Sequence, residues 1–180
     1  GTVQEQGRIY SRKERLKLCY MVMQDVNHQL FTESVLDEIC LSMRTEDRAK
    51  AEAVLAEMDL LPYRERHPMG LSGGQKQRAA VARALITRPD LVLADEPTGA
   101  LDSRAADSLL QLFGEINAEG QTIVMVTHSA KAASSAGRVL FIKDGEVFHQ
   151  LYRGGHSSDE MFQRIADTLT MMATGGGRYA

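Results

Sequence analysis

A chain of 180 residues suits one domain, and at 43% hydrophobic residues it has the makings of a core and none of a disordered polypeptide. Its formal net charge of −3 excludes the basic surplus of a general nucleic-acid binder. Two cysteines, Cys19 and Cys40, lack paired spacing, which excludes a disulfide framework or zinc site and leads us to expect a reducing cytoplasm.

In chain order, residues 1–23 are expected to supply a hairpin and one core strand, with the basic cluster Arg8, Arg12, Lys13, Arg15 and Lys17 as solvated hairpin. The strand, 18–23, is apolar and ends at Gln24-Asp25. From Gln24 to about Met69 the pattern turns helical. Thr32 or Ser34 can cap a helix through Val35, Leu36, Ile39, Cys40 and Met43, and Thr45 or Asp47 a second with Ala51, Val54, Leu55 and Met58 on one face. His67-Pro68 ends that run, and a third helix follows the glycine pair at 73–74.

Residues 87–150 then alternate strand and helix: a strand at 91–94, a helix at 105–119 and a strand at 122–127. Asp144-Gly145 between apolar stretches 139–143 and 146–151 signals a hairpin with a type I′ turn. A last amphipathic helix, 158–172, carries Met161, Phe162, Ile165, Leu169 and Met172 at helical spacing, before a tail at 175–180 expected to be disordered. The nine methionines, Met21, Met23 and Met125 among them, read as core filler. His28, His67, His149 and His156 read as surface residues.

Most of the chemical information lies in Leu71-Ser72-Gly73-Gly74-Gln75-Lys76-Gln77-Arg78. Two glycines let the backbone approach an anion, the N–H groups that open the next helix point at it, and Ser72 adds a hydroxyl donor. Taken alone, the same residues could be a glycine turn capping an ordinary helix. The octet resembles the signature motif of ABC-type ATPases. The resemblance extends over essentially all of the chain and implies an α/β fold: an incomplete ABC-type P-loop NTPase with a mostly parallel core sheet. Within it, 24–70 would be the small helical subdomain, 71–150 the core with signature, acidic strand and switch histidine, and 158–172 the C-terminal helix.

Leu91-Val92-Leu93-Ala94-Asp95-Glu96-Pro97 reads as a buried parallel strand with two carboxylates at its C-terminal tip, where open α/β sheets place ligands. It looks like the Walker B strand, which implies that Asp95 holds Mg²⁺ through water and that Glu96 is the general base for the attacking water. Neighbouring strand residues point in different directions, so the pair can serve metal and water separately; an acidic pair can also simply cap a helix. Gln24 resembles the Q-loop glutamine that contacts Mg²⁺ or the attacking water, though alone it would be a polar strand end. Thr98-Gly99-Ala100-Leu101-Asp102 resembles the D-loop at the dimer interface, and Asp102 could equally be only a helix cap. His128 stands where the family has its switch histidine, a hydrogen-bond donor to the γ-phosphate.

The family's phosphate cradle, G-x-x-x-x-G-K-[ST], is not found: none of the lysines follows a glycine. Gly1-Thr2-Val3 and Gly7-Arg8-Ile9 resemble the hairpin after the P-loop helix, so the resemblance leads us to expect a P-loop upstream of Gly1 in the parent protein. It further implies two ATP molecules sandwiched between two ATPase subunits, each under the partner's Ser72, Gly73, Gly74 and Gln75, and a membrane permease moved by hydrolysis. As that site would form only in the dimer, a side chain at Gly74 is expected to block closure with little effect on monomer folding. No apolar run reaches the ~18 residues that span a membrane, so the subunit would sit peripherally on the cytoplasmic face.

Residues 21–39 and 66–78 look like the energy-coupling ATPases of vitamin and metal-ion importers. Residues 93–103 and 139–155 look like those of peptide-antibiotic and lipoprotein exporters, which leaves import and export open. The alternatives are a fragment or permease-docking module without turnover, favoured by the missing cradle, and a non-transport ABC ATPase. The short 24–71 insert and acidic charge speak against the last, and no nucleic-acid partner is expected.

Overall fold

In a computed structural model, which describes residues 3–5 and 7–174, the chain divides into two units, Gly1–Val126 and Thr127–Ala180. The division falls inside the stretch 71–150 read above as one block. The sequence expectations at Gly1, Thr2 and the tail 175–180 lie outside the described residues.

The first unit opens with an antiparallel pair, β1 (Val3–Glu5) and β2 (Arg8–Tyr10). Contrary to expectation, the basic cluster does not stay hairpin: Arg12–Leu18 is a helix, α1. The signal was in the sequence as Ser11-x-x-Glu14, a capping box. Ser11 Oγ accepts from the Glu14 N–H at 3.3 Å, and the Glu14 carboxylate accepts from the Ser11 N–H at 2.9 Å. Hydrogen bonding to the carboxylate from the Ser11 backbone N–H and then the Ser11 side chain, with a weaker contribution from Arg8, lowers the Glu14 pKa to about 2.

The sheet of this unit is parallel in the order β3 (Cys19–Val22), β4 (Leu91–Asp95), β5 (Thr122–Val126). Its two faces differ. Val22, Val92 and Ala94 point into the core, with Tyr20, Ile123 and Met125 packed beside them. By strand alternation the opposite face carries Met21, Leu93, Val124 and Val126, and of these Met21, Val124 and Val126 are 46%, 47% and 59% exposed. The reading of 91–94 as a buried strand holds for Val92 and Ala94, while Leu91 and Leu93 are half-buried, and Met21 and Met23 are not core filler. They share the register of the open face, whereas Met125 takes the other.

Helices α2 (Val35–Cys40), α3 (Arg48–Glu57), α4 (Gly73–Leu85) and α5 (Ser103–Ala118) complete the unit. Of the cap candidates, Ser34 and Asp47 are the ones used, accepting from the N–H groups of Asp37 and Lys50. Helix α2 stops at Cys40, three residues short of the expected Met43, which packs on the core from the following turn. The core is built around α4: Ala79, Ala80, Val81, Ala82 and Ala84 are buried among Leu36, Ile39, Leu55, Leu109 and Phe113. Small side chains let its neighbours come close on several sides, which is how one helix joins the sheet to the helices between Gln24 and Gly70.

The second unit has a short helix α6 (Ala130–Ala133), a hairpin of β6 (Arg138–Lys143) and β7 (Glu146–Tyr152), and helix α7 (Ser158–Ala173). Asp144 and Gly145 have φ of 53° and 81°, both positive as a type I′ turn requires. Phe141, Leu151, Met161 and Ile165 form the core of this unit. Only part of the predicted α7 stripe is inside, since Phe162 and Leu169 are each 42% exposed.

Candidate functional site

Parallel register sets Cys19 beside Leu91 and Val22 beside Ala94, so Gln24 and Glu96 each follow two residues after a matched pair. The chain turns sharply after Asp95. Glu96 has φ of 42°, in the left-handed region that non-glycine residues seldom occupy, and its N–H donates to the carbonyl of Val126 at 2.9 Å. Its own carbonyl accepts from the Gly99 N–H at 3.0 Å, closing a turn over the buried Pro97. That turn is tight against Gln24. A methyl group at Gly99 would lie 3.4 Å from the Glu96 carbonyl oxygen and 3.8 Å from Gln24 Nε2. The structure thus brings Gln24 to the turn that carries Glu96, with both carboxylates half-buried.

Asp95 ends β4 on the open-face register of Leu91 and Leu93. It and Gln24 offer the oxygen donors that a hard cation takes. No group of three His, Cys, Asp or Glu gathers to hold a metal among the described residues. Mg²⁺ is commonly held by one or two carboxylates, with phosphates and water completing its shell. Asp95 and Gln24 match the small number of protein oxygen donors that such an ion takes.

The signature residues open α4. Ser72 Oγ accepts from the Gln75 N–H at 3.3 Å while Gln75 Oε1 accepts from the Ser72 N–H at 2.9 Å, a second capping box. Ser72 is exposed and keeps its hydroxyl proton to donate. The glycines are packed within the chain itself. A Cβ on Gly73 would sit 3.3 Å from Leu101 Cδ2, and one on Gly74 would sit 3.2 Å from the Ala105 Cβ. The Gly74 position is thus not open space within the monomer: the start of α4 lies on the start of α5, and a side chain there needs Ala105 to give by a few tenths of an ångström. Gly74→Asp, whose longer side chain cannot be seated by so small a shift, is expected to lower unfolding stability by about 1–3 kcal/mol in chemical denaturation. Asp102 caps α5, its carboxylate accepting from the Ala105 N–H at 2.8 Å.

His128 follows β5 by two residues, in the second unit, and is exposed. His28, His67, His149 and His156 are exposed, as expected for surface residues.

Two features escaped the sequence reading. Glu38 is fully buried and pairs with Arg83 Nη1 at 2.5 Å. Its other oxygen accepts from the N–H groups of Phe31 and Thr32 and from Thr32 Oγ1, all at 2.9–3.0 Å. Spacing could have revealed it, because Glu38 lies on the same helical face as Val35 and Ile39. The second is a cleft of about 420 Å³ between Gln24–Asn27 and the start of α4, lined also by Lys76, Gln77, Ala100 and Leu101. At its rim Lys76 Nζ donates to Asn27 Oδ1 at 2.9 Å, and the Asn27 backbone and side-chain N–H groups lower the pKa of Asp25.

Comparison with known proteins agrees with this geometry. The family profile described as ABC transporter matches residues 1–99. The chain is 36% identical to the ABC transporter ATP-binding protein YxdL of Bacillus subtilis (strain 168), over 96% of this chain and 72% of that protein. It is 46% identical to the bacitracin export ATP-binding protein BceA of Halalkalibacterium halodurans over 66% of this chain, and that match spans 47% of the relative. Among solved structures, the dimeric post-hydrolysis form of the ATP-binding cassette MJ0796 bound to ADP and Pi superposes with a TM-score of 0.70 at 30% identity, covering 84% of this chain and 73% of that one. The strand-end carboxylates, the capped glycine pair and these matches agree: the chain belongs to the ABC transporter family.

Proposed function

We propose that the chain is part of the ATP-binding subunit of an ABC exporter, coupling hydrolysis to movement of a membrane permease from the cytoplasmic face. The observation that carries this reading is the placement of Gln24 against the turn that bears Glu96. Bound Mg²⁺-ATP would supply the γ-phosphoryl group and the charge that polarises it. Asp95 would hold the ion through water, and Gln24 would contact the ion or orient the attacking water. Glu96 Oε would accept that water's proton, and His128 would donate a hydrogen bond to the γ-phosphate. Catalysis of this kind is mostly positioning and electrostatics.

Ser72, Gly73, Gly74 and Gln75 would face the nucleotide of a second ATPase subunit, with Asp102 near that interface. The α4 N–H groups opening at Gly73 have no acceptor within the helix, as at any helix start, and Ser72 adds its hydroxyl proton. The dimeric MJ0796 cassette supports the two-subunit arrangement. The export assignment is supported by BceA, whose name records bacitracin export, and by the exporter-like stretches 93–103 and 139–155.

The 180-residue chain by itself is expected to bind Mg²⁺-ATP more weakly than micromolar in calorimetry, for want of the lysine and backbone cradle around the β- and γ-phosphates. A full-length protein that includes a P-loop is expected to bind and turn over ATP. Tight binding by the chain alone would overturn the first statement. A full-length protein that binds its permease yet hydrolyses nothing would favour the docking-module reading.

A further inference from the structure

Gln77 lies on α4 two residues beyond the capping glutamine, only 2% exposed. Its Nε2 donates to the backbone carbonyl of Gln24 at 3.4 Å, the long end of a hydrogen bond. Its Oε1 is buried without a hydrogen-bond partner, and the residue lines the same cleft as Gln24, Asp25, Gly73 and Lys76. Unpaired buried amide oxygens are rare, because leaving one costs about 1–3 kcal/mol of desolvation. The arrangement ties the Gln24–Asn27 loop to α4 weakly: one long bond stabilises it and an orphan acceptor opposes it.

We propose that Gln77 is a positioning residue, a weak latch that ties the Gln24–Asn27 loop to the signature helix and so sets where the Gln24 side chain stands against the Glu96 turn. The route is short: α4, the Gln77 amide, the Gln24 carbonyl, then Gln24 Nε2 beside Gly99. A group near the partner's nucleotide would thereby be linked to one near the chain's own. Only that last consequence rests on the nucleotide reading; the latch itself does not. The low net strength is what the role needs, since a strong bond here would stop the loop from moving independently of the helix. A glutamine that merely filled space would not need its amide pointed at a carbonyl.

Hydrogen–deuterium exchange tests the latch without nucleotide, so its outcome is separate from whether the protein hydrolyses ATP. Gln77→Leu keeps the volume and removes both polar atoms. Exchange in residues 24–29, normalised to β4, is expected to quicken about two-fold, the value of a hydrogen bond at the weak end of the usual range, while the melting temperature stays level or rises. Gln77→Glu is the second arm. Ionised, it opposes the Gln24 carbonyl and the loop is expected to loosen. Unchanged exchange in Gln77→Leu would overturn the proposal. So would loosening in proportion to a general loss of stability, or a Gln77→Glu variant whose loop exchanges as slowly as the parent's at neutral pH.

Discussion

Glu96→Gln is expected to lower ATP turnover of the full-length protein by about 10²–10⁴-fold, the usual contribution of a positioned general base. The amide keeps the length and shape of the side chain and cannot take the water's proton. The Glu96 backbone is held by the Val126 carbonyl and the Gly99 N–H, neither of which involves the carboxylate, so the left-handed turn should survive the change. ATP-dependent dimerisation should then persist or strengthen, because bound nucleotide is no longer consumed. Steady-state hydrolysis and light scattering with ATP, run side by side, check both halves. Retained turnover would remove Glu96 from its role, and loss of dimerisation would mean that the substitution had damaged the turn.

The largest expected change in stability comes from the buried pair missed in the sequence. Removing either charge, as in Glu38→Ala or Arg83→Ala, is expected to cost about 3–5 kcal/mol in chemical denaturation, since the remaining charge is left without its partner inside the protein. That is a large share of the roughly 5–15 kcal/mol by which domains are stable. The Glu38 side chain is 0% exposed and Arg83 16%, so solvent cannot stand in for the missing group. Arg83 also donates to the Gln29 carbonyl and to Ser42 Oγ, and lies over the Phe31 ring, so its removal frees the 29–32 segment as well as α2. The double replacement Glu38→Leu with Arg83→Met should recover only part of the loss: no buried charge then remains, but the N–H groups of Phe31 and Thr32 lose their acceptor. If each single variant melts like the parent, the pair is not the tie that its geometry indicates.

Much of this protein is decided by local chemistry and is therefore readable from the chain. Capping boxes need only a hydroxyl and an acceptor three residues apart, and Ser72 with Gln75 shows one directly. Asp144-Gly145 sets a turn type because both residues accept positive φ, and runs such as 91–94 declare strands by their apolar side chains. Family motifs add the identity of the strand-end carboxylates, since their order along the chain needs no knowledge of distance. What lies between elements far apart in sequence is another matter. The face of β3 that Met21 occupies follows from strand parity, but whether anything covers that face is settled by packing, and Met21 and Met23 are outside. Glu38 and Arg83 are 45 residues apart, and Gln77 and Gln24 are 53 apart, so no local pattern pairs them. Their partners were chosen by how α4 lies against the helices between Gln24 and Gly70. The same packing made Gly73 and Gly74, read from the sequence as an anion cradle or as a glycine turn capping a helix, the close contact between α4 and the start of α5. A glycine that lets a phosphate approach also lets a methyl group approach, and only the folded chain shows which neighbour has come near.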